Sequence, residues 1–274
     1  MTAAAGLHPI DAGDVVALCA PGFENAPAEL GLLSAERLRE CLISSGNEGG
    51  RAGVHALRTS GGTELLFRPF RRGGWLAKLG RSPQLPSPER WFNELRVTQE
   101  LHNRGAPVPD PGFAIACRPA VAPARGWYGG VASVRIPAAT NGGEYVDRTD
   151  LSHPDMILAA SAAGRAVRVF HDCGGRHSDL HIGNLLIADG AAQAWVIDLD
   201  LAGAAEAPNA RRRTRELARL ARSIEKRGAA ERIGHEGYAA FLDGYVADDS
   251  ELGGAIARAW RTERLAVSFH RLGY

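Results

Sequence analysis

The residues of this sequence best suited to chemistry lie in His177-Ser178-Asp179-Leu180-His181-Ile182-Gly183-Asn184, with a further aspartate, Asp198, closing the run Val196-Ile197-Asp198. Asp179 and Asn184 stand five positions apart. Two short apolar runs, 184–188 and 194–198, follow with Asp189-Gly190 between them. Asp-Gly between apolar strands favours a type I′ turn, so the stretch is expected to be a loop feeding a tight hairpin. Asp198 then folds back towards the loop. Such residues suit phosphoryl transfer, which needs a carboxylate near the attacking hydroxyl and oxygen ligands for the magnesium that bridges the phosphates.

The pattern H-x-D-x-x-x-x-N, followed by an aspartate after a strand, resembles the catalytic loop and metal-binding aspartate of protein-kinase-like phosphotransferases. The resemblance implies Asp179 as the base, with Asn184 and Asp198 as metal ligands. The plain alternative is a capped turn with an ordinary hairpin.

Several elements must position this loop. Residues 156–173 read as a helix leading into it. Upstream, residues 15–19 form a strand and 30–42 a short amphipathic helix, with apolar residues at 30, 33, 38, 41 and 42. A glycine-rich stretch, Asn47 to Gly53, precedes a strand at 54–58 and a second at 64–70. Glycines between strands let backbone N–H groups approach phosphates, which makes Gly50, Arg51 and Gly53 candidate nucleotide contacts. Ser87 is the expected N-cap, and Pro88 the first position, of a helix over 87–104 that Gly105 stops. Strands at 113–117 and 130–136 follow.

These features together resemble the bacterial lipopolysaccharide kinase (Kdo/WaaP) family, most closely its Kdo kinase branch. The matching stretches are LLFRPFRRGGWLAKL at 65–79, NELRVTQEL at 93–101, GAPVPDP at 105–111, SVRIPAA at 133–139, HSDLHIGN at 177–184 and VIDLD at 196–200. The likeness spans about residues 48 to 202. It implies an α+β, protein-kinase-like fold of two lobes: an extension over 1–45, a sheet-based lobe over 46–138 and a mainly helical lobe over 139–274 carrying the catalytic loop. It implies ATP between the lobes near 138–145, Mg2+ as cofactor, and a Kdo sugar of the lipopolysaccharide inner core or Kdo-lipid A precursor as acceptor. Two other readings share the loop: a small-molecule phosphotransferase of the aminoglycoside or choline kinase type, and a nucleotide-binding pseudokinase scaffold.

One departure from the kinase pattern stands out. Protein kinases pair a strand lysine with a glutamate on the following helix. Residues 64–70 contain no lysine, and the chain has only Lys78 and Lys226. Arg68 is expected to pair with Glu94 and reach phosphate, since a guanidinium binds oxyanions bidentately. Lys78, past the Gly73-Gly74 turn, is the other candidate, and a plain surface role for Arg68 stays open.

Composition narrows the classes. The chain has 274 residues, 45% hydrophobic and 23% charged, with net charge +1, which suits a folded protein and argues against a general nucleic-acid binder. The four cysteines are scattered, with no C-x-x-C spacing, and read as free thiols of a reducing compartment. The N-terminus has no basic region and no apolar run approaches 18 residues, so a cytosolic protein, or one bound to a membrane only at its surface, is expected; the family resemblance implies a peripheral place on the cytoplasmic face of the inner membrane. His171, His177 and His181 fit no zinc spacing. Asp200 reads equally as a turn acid or a metal neighbour. Arg212, Arg215, Arg219 and Arg222 form one stripe of a helix over 209–227. That stripe is either a solvated face or a contact for anionic lipid or phosphorylated sugar. Residues 237–246 and 256–272 read as packing helices.

Overall fold

A computed structural model describes residues 6–43, 47–48, 51–52, 54–70, 85–119, 126–200 and 202–259. The chain divides into two units, Met1–Glu100 with Pro109–Ile136, and Leu101–Val108 with Pro137–Tyr274.

Alternation of apolar residues builds the first unit. Its elements are β1 (His8–Asp11), β2 (Val15–Cys19), α1 (Ala26–Glu29), α2 (Ala35–Ile43), β3 (Asn47–Glu48), β4 (Arg51–Ala52), β5 (His55–Arg58), β6 (Glu64–Pro69), α3 (Glu89–Asn103), β7 (Pro111–Cys117) and β8 (Tyr128–Val134). Six strands form an antiparallel sheet in the order β1-β2-β7-β8-β6-β5. Residues 6–43, set apart in the sequence reading, lie in this unit: β1 and β2 extend the sheet through β7. On one face Leu65, Phe67, Phe113 and Ile115 pack with Leu38 of α2. On the other, Leu18, Ala114 and Ala116 meet Trp91 and Leu95 of α3. Full burial of side chains of this size contributes about 1.5–3 kcal/mol each. The expected helix over 30–42 starts later, as α2 (Ala35–Ile43), after a turn over 30–34 in which Gly31 takes a left-handed φ of 69°.

Helix α3 starts beside Ser87, whose Oγ accepts the Glu89 N–H at 3.4 Å. It ends in a Schellman pair, Ala106 N–H to Leu101 C=O and Gly105 N–H to His102 C=O, with Gly105 at φ 79°.

The second unit contains β9 (Ala139–Asn141), α4 (Gly142–Asp147), α5 (His153–Asp172), β10 (Gly175–His177), β11 (Leu185–Ala188), β12 (Ala194–Val196), β13 (Ala202–Ala204), α6 (Ala210–Arg227) and α7 (Ala230–Val246), with a further helical run over 250–259. Ser152 and Asp155 cap α5 reciprocally. Helix α7 packs so closely on α5 that a Cβ on Gly164 would meet the Phe241 carbonyl at 2.1 Å. Strand β11 lies between β12 and β9, and β10 pairs with β13. The hairpin connection is longer than the expected two-residue turn. Residues 189–193 join β11 to β12, with Gly190 and Ala191 both at positive φ and Ala188 N–H bonded to Gln193 C=O. Ala191, buried at 2% exposure, is held in a conformation its Cβ disfavours.

Candidate active site

Strand β10 delivers the chain to His177, which is buried and fully hydrogen-bonded. Its backbone N–H donates to Glu216 Oε2 at 2.9 Å. Its Nδ1 accepts the Asp179 N–H at 3.2 Å, which leaves the proton on Nε2, facing the Ile197 carbonyl at 3.1 Å. Burial pushes the His177 pKa down, so the neutral ring fits this pattern.

Asp179 follows with its backbone clamped at both ends. Its N–H is held by His177, and its C=O accepts Nδ2 of the buried Asn184 at 3.0 Å. Leu180 beside it is fully buried and anchors the turn. The Asp179 side chain, by contrast, is 65% exposed. His181 Nε2 stands 3.9 Å from its Oδ2. The loop therefore presents one carboxylate on a rigid support, which is what a positioned base requires.

Asp198 is tied to the same loop. The Ile197 N–H donates to the Asn184 carbonyl at 2.9 Å, while the Ile197 carbonyl takes the His177 ring. Asp198 comes next, half-buried, with φ at 62°, a left-handed conformation unusual for a non-glycine residue. Its charge acts on His177, raising that ring's pKa against the larger effect of burial. Asp179, Asn184 and Asp198, drawn from the loop and the end of a hairpin, are thus brought to one place.

A polar layer beneath the loop gave no signal as a site in the sequence. Glu216 of α6, 3% exposed, accepts His171 Nε2 at 3.1 Å as well as the His177 N–H, and Arg212 Nε lies 3.3 Å from its other oxygen. Burial pushes its carboxyl up, but these hydrogen bonds outweigh burial and the net pKa falls below the usual range. His171 Nδ1 meets the Tyr245 hydroxyl at 2.7 Å. Burial lowers the His171 pKa and raises that of Tyr245 to about 12. The available signal was a carboxylate on the buried side of an otherwise basic helix.

In the first unit Arg68 Nη2 bonds Glu94 Oε1 at 2.5 Å, with the Glu94 side chain 8% exposed. Arg68 alternates with Leu65 and Phe67 on β6, and so projects to the sheet face that carries α3. Arg51 falls in β4, which pairs with β3. Gly50, Gly53, the 71–74 stretch and Lys78 lie outside the described residues.

Metal chemistry can be judged from the donor set. Among the described residues no group of three or more His, Cys, Asp or Glu forms a metal cage. His171 and His177 have both ring nitrogens hydrogen-bonded. Asn184 commits Nδ2 to Asp179, while Oδ1 accepts no hydrogen bond from the described residues. One carboxylate and one amide oxygen, completed by phosphate oxygens and water, match the way magnesium is held in phosphotransfer sites.

The description "Lipopolysaccharide kinase (Kdo/WaaP) family" belongs to a family model that matches residues 148–245, a span containing Asp179, Asn184, Asp198 and Glu216. A 3-deoxy-D-manno-octulosonic acid kinase of Xylella fastidiosa (strain 9a5c) is 34% identical over 189 residues, 66% of this chain and 69% of that protein. The enzyme of the same name from Xanthomonas campestris pv. campestris (strain B100) is 31% identical over 202 residues, 73% of this chain and 76% of the relative. A solved structure described as WaaP in complex with acyl carrier protein superposes with a TM-score of 0.50 at 19% identity, covering 87% of this chain and 96% of its own. That likeness bears out the α+β, kinase-like architecture.

Proposed function

Because the chain belongs to the lipopolysaccharide kinase (Kdo/WaaP) family, we propose that it transfers the γ-phosphoryl group of ATP to a hydroxyl of a Kdo sugar in the lipopolysaccharide inner core or its Kdo-lipid A precursor. The observation that carries this reading is Asp179: an exposed carboxylate whose backbone is clamped by His177 on one side and Asn184 on the other.

Asp179 accepts the proton of the sugar hydroxyl as its oxygen attacks the γ-phosphorus. The bond from that phosphorus to the bridging oxygen breaks, and its electron pair leaves on ADP. His177, neutral and fixed by three hydrogen bonds, keeps the Asp179 N–H oriented without competing for the proton. Asn184 and Asp198 would hold magnesium, which would supply positive charge to neutralise what develops on the phosphates. Arg68, steadied by Glu94, supplies the phosphate-binding cation that a lysine supplies in protein kinases. The acceptor is lipid-linked, so the reaction belongs on the cytoplasmic face of the inner membrane. No described helix is long and apolar enough to cross a membrane.

The test is transfer of labelled phosphate from ATP to purified Kdo-lipid A, followed by mapping of the product. Label on a Kdo hydroxyl supports the reading. Label released only as inorganic phosphate, or passed to soluble aminoalcohols in preference, would overturn it.

A further inference from the structure

The outward side of α6 carries a row of cations, Arg211, Arg212, Arg215, Arg219, Arg222 and Lys226. Arg212 is engaged with Glu216. Arg219, Arg222 and Lys226 make no ion pair or hydrogen bond among the described residues. Other arginines of the unit are tied down: Arg148 to Asp150 and Asp189, Arg168 to Asp172 and Asp249, Arg227 to Asp147. Like charges three and four positions apart on a helix destabilise it. Arg219, Arg222 and Lys226 therefore contribute nothing favourable to the fold through pairing among the described residues.

The row sits beside the catalytic loop. Two side chains of α6 hold that loop: Glu216 takes the His177 N–H, and Ser223 Oγ takes the Ile182 N–H at 2.9 Å. At 3.6 residues per turn, Glu216 and Ser223 lie about 20° apart around the axis, and Arg219 stands to one side of them, about 40° from Ser223 and about 60° from Glu216. Arg219 is accordingly half-buried, whereas Arg222 and Lys226 continue the same edge into solvent. Near the attacking hydroxyl the loop presents the Asp179 carboxylate, 65% exposed. An acceptor that is itself an acid needs opposing charge nearby to approach it.

We propose that Arg219 and Arg222, with Lys226 one turn on, hold the carboxylate of a sugar-acid acceptor while its hydroxyl lies at Asp179. This rests on the kinase reading above for the identity of the acceptor, and on the α6 seam for the site. Guanidinium groups suit the task because they pair carboxylates through two parallel N–H···O bonds.

The experiment compares the wild-type protein with the double variant Arg219→Gln/Arg222→Gln and with Arg232→Gln on α7, using a lipid-free Kdo glycoside and its carboxyl methyl ester. Binding is read by calorimetry, and acceptor KM, ATP KM and kcat by phosphate transfer. Wild type should bind the acid more tightly than the ester by about tenfold or more, the range for a charge-assisted hydrogen bond. The double variant should lose that preference and raise the acceptor KM by a similar factor, with ATP KM unchanged. Arg232→Gln should behave as wild type. Equal binding of acid and ester by wild type overturns the proposal, as does an unchanged acceptor KM in the double variant. So does a double variant that loses only its adhesion to phosphatidylglycerol vesicles lacking the sugar, since the row would then be a membrane contact. Tight, arginine-dependent binding of the acid with no transfer to any sugar would instead sink the kinase reading and leave the carboxylate site standing.

Discussion

The backbone N–H of His177 donates to the buried carboxylate of Glu216 at 2.9 Å, across 39 positions of sequence. The bond fixes the loop from below, where no substrate reaches it. Glu216→Ala would orphan both the His177 N–H and the His171 ring, a loss of about 3–5 kcal/mol for a broken buried charged partner. Glu216→Gln keeps one acceptor and should fold, with kcat reduced more than either KM. Denaturant unfolding and steady-state kinetics of the two variants check this, and a fully active Glu216→Ala would refute it.

The same cluster sets a pH dependence of stability. His171 and His177 have folded pKa values below the ordinary 6.5, mainly because they are buried. The unfolded chain therefore binds protons that the folded chain refuses, and stability falls as pH drops below about 6.5. Glu216 acts in the same direction at lower pH: its depressed pKa adds stability present above the unfolded carboxylate value and lost as pH falls through the folded one. Urea midpoints measured from pH 8 to pH 5 should decline, and a flat profile would refute the assignment of neutral buried rings.

Asp179→Asn retains the size and leaves both backbone bonds intact, so the fold and nucleotide affinity should persist. Turnover should drop by about 10²–10⁴, the range for a positioned acid–base group. Near-normal turnover in the purified variant would remove Asp179 from the role of base.

Asp198 separates stability from activity. At φ 62° it occupies a conformation that glycine adopts freely. Asp198→Gly should leave unfolding free energy within about 1 kcal/mol of wild type, of either sign. It should nevertheless abolish magnesium-supported transfer. Asn184→Ala should weaken metal use less, because a neutral ligand is lost. Full activity of Asp198→Gly at low magnesium would show that the metal lies elsewhere.

Arg68→Ala should raise the KM for ATP and lower turnover, because the Glu94 carboxylate loses its cation and the phosphates lose theirs. Arg68→Lys should recover part of both, since an ammonium cannot reproduce the planar fork. Kinetics at saturating acceptor check this beside Lys78→Ala. A crippled Lys78→Ala with a mild Arg68→Ala would move the phosphate-binding cation to Lys78.

By itself, the sequence determined the local features. Apolar runs and periodicity, with the Ser87-Pro88 start and the Gly105 stop, located β2, β6, β7, α3 and α5, because burial and capping are written in neighbouring residues. The Asp179, Asn184 and Asp198 spacing was legible because all three sit on one loop and the hairpin that follows it. Tertiary structure decided what depends on distant partners. Residues 6–43 join the sheet through β7, a pairing of strands almost 100 positions apart that no local pattern encodes. The turn after β11 is longer than Asp189-Gly190 alone predicts: Ala188 pairs with Gln193, and the buried Ala191 between them takes a left-handed φ. In sequence Glu216 is one of two acids, with Glu225, in the basic helix α6, and only folding α6 against the loop removed it from water and gave it His171 and His177 as donors. That same packing separates the arginines tied to the structure from those left at its edge, because which side of a helix meets solvent is settled by what packs against the other.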